Sequence, residues 1–160
     1  MIAVTILSFS VAGPLFTASR TMVATEISRD QLTASYLAQE AIEYARALRD
    51  DEYLKLYSAQ QEGYSVIAWN NFKASNLLTS CSSNKCGLGR AVGGGTLPIT
   101  SATASFYLND APDPPGTSFT RTFQATEVPP NEEKIVSTVL WWFHDTQHTV
   151  TITDHLTPWQ

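Results

Sequence analysis

No charged residue precedes Arg20 in this chain of 160 residues. Residues 1–19 read MIAVTILSFSVAGPLFTAS. As a helix rising 1.5 Å per residue, that stretch measures about 28 Å, close to the hydrocarbon thickness of a bilayer. Three readings compete for it. A cleaved signal peptide needs a basic first region and a small-residue cleavage site ahead of polar sequence, and no Lys or Arg stands at the start. The core helix of a soluble protein seldom runs so far without a charge. A membrane anchor fits best.

Gly13 and Pro14 fall within this run. Proline removes a backbone donor and crowds the preceding turn, so a kink is expected there; the alternative is that Pro14 ends a first helix. In lipid, a break in the backbone ladder needs neighbouring helices to satisfy the freed groups.

Beyond Ser19 the polarity changes and the helical pattern continues. Residues 21–48 hold no Gly and no Pro and are dominated by strong helix formers. Ala34, Ala38, Ala41, Ala45 and Leu48 recur at four- and three-residue steps, drawing one narrow apolar stripe that Leu37, Ile42 and Tyr44 widen. Glu40, Glu43, Arg46 and Arg49 fall mainly on other faces, with Glu43 and Arg46 spaced for an ion pair. Side chains this small predict close packing of residues 20–50 against a sheet.

The sheet is expected at the other end of the chain. Residues 101–109 (SATASFYLN), 118–128 (SFTRTFQATEV), 134–144 (KIVSTVLWWFH) and 148–156 (HTVTITDHL) are rich in Val, Ile, Thr and aromatics. Pro- and Asp-containing turns separate them, so neighbours run antiparallel. Ile135, Val139, Trp141 and Phe143 share one face, and Val150 and Ile152 alternate with Thr149, Thr151 and Thr153. One face needs a cover, and the Ala/Leu stripe is available. The fold expected is therefore α+β: a long N-terminal helix, transmembrane over 1–19 and amphipathic over 20–50, packed on a C-terminal antiparallel sheet within 101–157. Residues 51–160 form the globular domain. Within it, 52–60 extend the helix or form a second one, Val66 to Leu78 supply apolar anchors on a short helix, and 79–98 form a variable loop.

Most functional chemistries find no support. A net charge of −5 with only 10 scattered basic residues argues against a nucleic-acid partner. Gly93, Gly94 and Gly95 lack the Gly-Lys-Ser/Thr ending of a phosphate loop. His144 and His148 flank a predicted turn, but only Asp145 and Asp154 stand near enough in sequence to help them and His155 hold a metal. No catalytic triad or carboxylate pair follows from the spacing, so no enzyme and no cofactor are expected. Cys81 and Cys86, in CSSNKC, fit a disulfide-closed turn outside the cytoplasm; two free thiols are the alternative. Trp141 and Trp142 point to opposite sheet faces, one for the core and the other, Trp142, for the sheet cap or a ligand or subunit contact.

The run from IAVTILSFSVAGPLFTASRTMVATEISRDQ through LTASYLAQEAIEYARALRD resembles the apolar-then-amphipathic first helix of type IV pilins and pseudopilins, with LAQEAIE similar to their minor members. The ending VLWWFHDTQHTVTITDHLTPW resembles, more loosely, the sheet of that group. The resemblance implies a structural subunit of a type IV pilus or type II secretion-like filament. Such a subunit is stored in the cytoplasmic membrane with its domain outside, then bundled through its first helix. Its implied partners are other pilin subunits, an inner-membrane assembly platform, membrane lipid before assembly, and the prepilin peptidase that trims the precursor. Family precursors carry a basic leader and a glutamate five residues into the mature chain; here Met1 stands just after that glutamate's place, so the processing residues are expected upstream. A membrane-tethered binding module, adhesin-like and using Trp142 with 93–95 for carbohydrate, is the alternative.

Overall fold

The computed structural model describes residues 2–89, 99–100, 104–107 and 118–158, with the side chains of 2–16, 19, 100, 104–107 and 118 outside that description. Helix α1 runs Ile2–Ser58, 57 residues long. The chain divides into two units, Met1–Thr33 and Ala34–Gln160, and α1 contributes to both.

The first unit is helical. The hydroxyls of Thr21, Thr25, Ser28 and Thr33 turn back onto the backbone one turn earlier. Thr21 donates to Thr17 O at 2.9 Å, Thr25 to Thr21 O at 2.8 Å and Ser28 to Ala24 O at 2.8 Å. A hydroxyl satisfied within its own helix needs no water, which is how such residues are accommodated in apolar surroundings. The backbone is helical through Gly13 and Pro14, so Pro14 does not end a first helix. The predicted kink and the apolar span 1–19 rest on side chains that lie outside the described residues. Among the described residues, no helix is long and apolar enough to cross a membrane.

The second unit is the α+β domain. Residues 34–58 of α1 precede two short helices, α2 (Tyr64–Lys73) and α3 (Asn76–Cys81). Of the two alternatives expected for 52–60, the structure shows the extension: α1 continues as far as Ser58. Beyond it Gln60 and Gly63 adopt left-handed φ values of 53° and 68°; nothing crowds the place of a Cβ at Gly63, so conformation and not space favours glycine there. The strands are β1 (Cys86–Leu88), β2 (Ile99–Thr100), β3 (Ala104–Tyr107), β4 (Ser118–Val128), β5 (Glu132–Phe143) and β6 (Thr146–Leu156).

They form one sheet in the order β2-β1-β4-β5-β6, with β3 also pairing β4, and every pairing is antiparallel. Two details depart from the sequence reading. The turn expected between residues 134–144 and 148–156 is a two-residue one, His144 and Asp145, at φ 42° and 58°. Positive φ at both central residues matches the twist of a tight hairpin, and His and Asp tolerate it better than branched residues do. In the predicted loop 79–98, Cys86–Leu88 is a strand and 79–81 close α3. Three residues, one a glycine, carry too little pattern to announce a strand; pairing with β4 creates it. Gly93, Gly94 and Gly95 lie outside the described residues.

One face of the sheet is the core. Along β5 the alternation is clear: Glu133, Ile135, Ser137, Val139 and Trp141 are buried, and the residues between them are half-exposed. The core falls into two clusters. One gathers Ala41, Ile42 and Ala45 with Trp69, Phe72, Leu77, Phe123 and Ile135. The other joins Ala34 and Ala38 to Phe119, Val139 and Trp141. Each large side chain fully withdrawn from water stabilises the fold by about 1.5–3 kcal/mol before its loss of conformational freedom is counted.

Candidate functional site: the seam between α1 and the sheet

Within the second unit, the stripe read from the sequence is the surface on which the sheet packs. Ala34, Ala38, Ala41 and Ala45 each have 0% exposure, and Leu48 packs half-buried on the first cluster. An alanine contributes little area of its own. Its value lies in letting the helix backbone approach Phe119, Val139 and Trp141 closely, where a longer side chain would hold it away.

The closeness has an electrostatic counterpart that sequence reasoning missed. Arg121 stands in β4 at a position whose neighbours on the same face, Phe119 and Phe123, are apolar, and it is wholly buried. Its guanidinium joins three parts of the chain. Nη1 donates to Leu37 O at 2.7 Å and to Glu40 Oε2 at 2.6 Å, both on α1. Nε donates to Leu88 O at 3.1 Å and Nη2 to Gly89 O, both at the end of β1. Burial draws the Arg121 pKa below its ordinary value, and the Glu40 carboxylate opposes that shift. An arginine stays charged throughout, so the site is a paired buried cation rather than a titrating group. The signal in the sequence was a charge amid the alternating apolar positions of FTRTF. Its destination was not legible, because the acceptors are backbone carbonyls.

Glu40, Arg46 and Arg49 stand on the faces beside the stripe, as expected, but their side chains make contacts the spacing did not announce. Glu40 reaches in to Arg121. Arg46 meets Glu43 at 2.6 Å, as its spacing suggested, and also Asp154 of β6 at 3.0 Å. Arg49 donates to Thr157 O at 3.4 Å. These three residues flank the stripe, and their length lets them reach around it to the sheet.

Cys81 and Cys86 are joined as a disulfide with Cα atoms 5.1 Å apart. The bond ties the end of α3 to the start of β1, and thereby steadies the strand whose last carbonyls hold Arg121. Trp141 is buried, stacked on His148 with ring centres 5.4 Å apart, and packed on Phe119. Trp142 is 58% exposed on the outer face of the sheet. His144 sits against the Phe143 ring, His148 against Trp141, and His155 pairs with Glu132. Among the described residues, no group of three His, Cys, Asp or Glu side chains is placed to hold a metal.

Glu133 is a further buried group that the sequence did not single out. It lies directly opposite Glu127 across the β4–β5 ladder. Burial pushes its carboxyl above the usual range and the Glu127 charge adds to that shift, while Lys73 opposes it. Lys73 itself pairs with Glu127 at 3.0 Å.

No protein-family model, curated protein or solved structure matches this chain.

Proposed function

We propose that the chain is a structural subunit of a type IV pilin-like filament, a minor pilin or pseudopilin, anchored in the cytoplasmic membrane by residues 1–19 before it assembles. One observation carries the reading. A single helix joins a charge-free opening to a small-residue stripe with no exposure on an antiparallel sheet. A flexible linker is the usual join between an anchor and its domain; a continuous helical one suits a subunit whose helix must bundle in register with others. The inward-turned hydroxyls of Thr21, Thr25 and Ser28 support the same reading, since they need no solvent. The Cys81–Cys86 disulfide supports an extracytoplasmic domain. On this reading the partners are other subunits, the inner-membrane assembly platform and the peptidase acting on the precursor. The exposed Trp142 is a subunit or surface contact, and the chain has no catalytic role.

The test is fractionation of cells making the tagged protein from its own gene. It is expected to co-purify with filaments sheared from the cell surface or with their assembly platform. Recovery only as a stable soluble monomer in the cytoplasm overturns the reading.

A further inference from the structure

Strand β6 closes one side of the sheet. It pairs with β5 over 11 consecutive residue pairs without a bulge, and among the described residues no strand pairs with its outer edge. Alternate backbone donors and acceptors along such a strand point away from the sheet. Natural edges are usually blunted by Lys, Pro or a bulge. Thr146–Leu156 contains no Lys, Arg or Pro.

The sequence of the edge is close to a palindrome. Around Thr151, Val150 mirrors Ile152, Thr149 mirrors Thr153, and His148 mirrors Asp154. We infer that β6 is a homotypic docking edge, on which the β6 of a second copy of this chain adds antiparallel about a two-fold axis through Thr151. In that register every cross-strand pair in the central seven residues is a favourable one. Thr stands opposite Thr at 151 and at 149/153, branched apolar residues meet at 150/152, and an imidazole faces a carboxylate at 148/154. The faces also agree. Thr149, Thr151 and Thr153 are exposed on the outer face, and Val150 and Ile152 lie half-buried on the core face, so the paired edges continue one sheet with its two faces matched. Asp154 is already held by Arg46 at 3.0 Å, which fixes its carboxylate where the partner's imidazole would arrive.

The axis is normal to the sheet, so the 34–58 segments of α1 in the two copies run in opposite directions. Subunits lying side by side in one membrane run the same way; the contact therefore joins opposed subunits. One strand pair buries less than the roughly 1,200 Å² of a stable interface, so the contact is weak singly and gains strength when many copies are arrayed. The inference stands apart from the proposed function, and either can fail alone.

The test uses the full chain in detergent, with the native disulfide retained and folding checked by circular dichroism. A two-fold axis through Thr151 brings the two Cα atoms of that residue to about 4.5–5.5 Å, within disulfide range. It leaves the two copies of residue 149, and likewise of 153, about 14 Å apart. Under mild oxidation, Thr151→Cys is expected to form at least about tenfold more disulfide-linked dimer than Thr149→Cys or Thr153→Cys alone. An equimolar mixture of those last two is expected to restore the yield. Adding Thr151→Lys to both members of that mixture, which sets like charges on the axis at an exposed position, is expected to abolish the restored yield. Equal cross-linking of the three single-cysteine variants, as dimerisation through α1 alone would give, overturns the inference, as does no cross-linking or linkage only to a different protein.

Discussion

Residues 17–33 of α1 and residues 34–48 of the same helix draw on similar residue types and treat them in opposite ways. In the first stretch, Met22, Val23 and Leu32 are exposed at 71%, 42% and 56%, and the hydroxyls between them bond to their own helix. In the second, four alanines have no exposure and the polar side chains reach across to another part of the chain. The lesson concerns where a helix finds its partner. The second stretch is completed within the chain by β4, β5 and β6. The first carries exposed apolar side chains, and on the proposed reading their neighbours are other subunits.

That contrast can be broken most forcefully at Arg121. Arg121→Ala removes the cation but leaves Glu40 and the carbonyls of Leu37, Leu88 and Gly89 without their donor, and is expected to cost about 3–5 kcal/mol in denaturant unfolding. The double variant Arg121→Met with Glu40→Leu is expected to recover only part of that loss, since the bonds Arg121 made to the three carbonyls are still missing. A full recovery would show that the ion pair, and not the backbone clasp, matters. Next comes the alanine stripe. Ala38→Leu is expected to cost about 1–3 kcal/mol by forcing the helix off Phe119 and Trp141. The same change at the exposed Ala24 is expected to alter unfolding by less than about 0.5 kcal/mol. Equal effects at the two sites would erase the distinction between the stretches.

Two further changes sharpen the picture from the opposite direction, by adding stability. Among the described residues, the Ser137 hydroxyl is buried on the core face of the sheet without a hydrogen-bond partner. Ser137→Ala is expected to raise the thermal midpoint, corresponding to about 1 kcal/mol. The smallest effect is expected at Glu133. Its folded pKa is raised, so between the ordinary glutamate range and that raised value the native state holds a proton that the unfolded state has released. Stability therefore falls as pH rises through that window. Glu133→Gln is expected to be the more stable protein at neutral pH, with the difference vanishing once the pH is low enough to protonate the carboxyl in both states. Unfolding curves at several pH values measure it; a difference that grows on acidification would reverse the assignment.

Much of the fold was legible in the residues. The alternation of β5, the Thr/apolar alternation of β6 and the alanine spacing are local periodicities, and a helix or strand with one apolar face announces that face in its own sequence. The pairing of Glu43 with Arg46 was legible for the same reason, being three residues apart on one helix. Strand β1 was not. Cys86, Gly87 and Leu88 become a strand because β4 supplies the ladder and Cys81 the tether, both distant or non-periodic facts. The roles of Arg46 and Arg49 at the seam were missed because a long flexible side chain need not follow the face its Cα occupies.

By itself, then, the sequence determined the α+β plan, the helical character of the first half, the stripe that packs and the strand faces implied by alternation, because each is written in short-range spacing. Only the tertiary structure decided what Arg121 does. Its acceptors lie at positions 37, 88 and 89, and a carbonyl acceptor is common to every residue type, so no side-chain pattern marks it. Which carbonyls converge on a buried cation is settled when the helix, the short tethered strand and β4 come together.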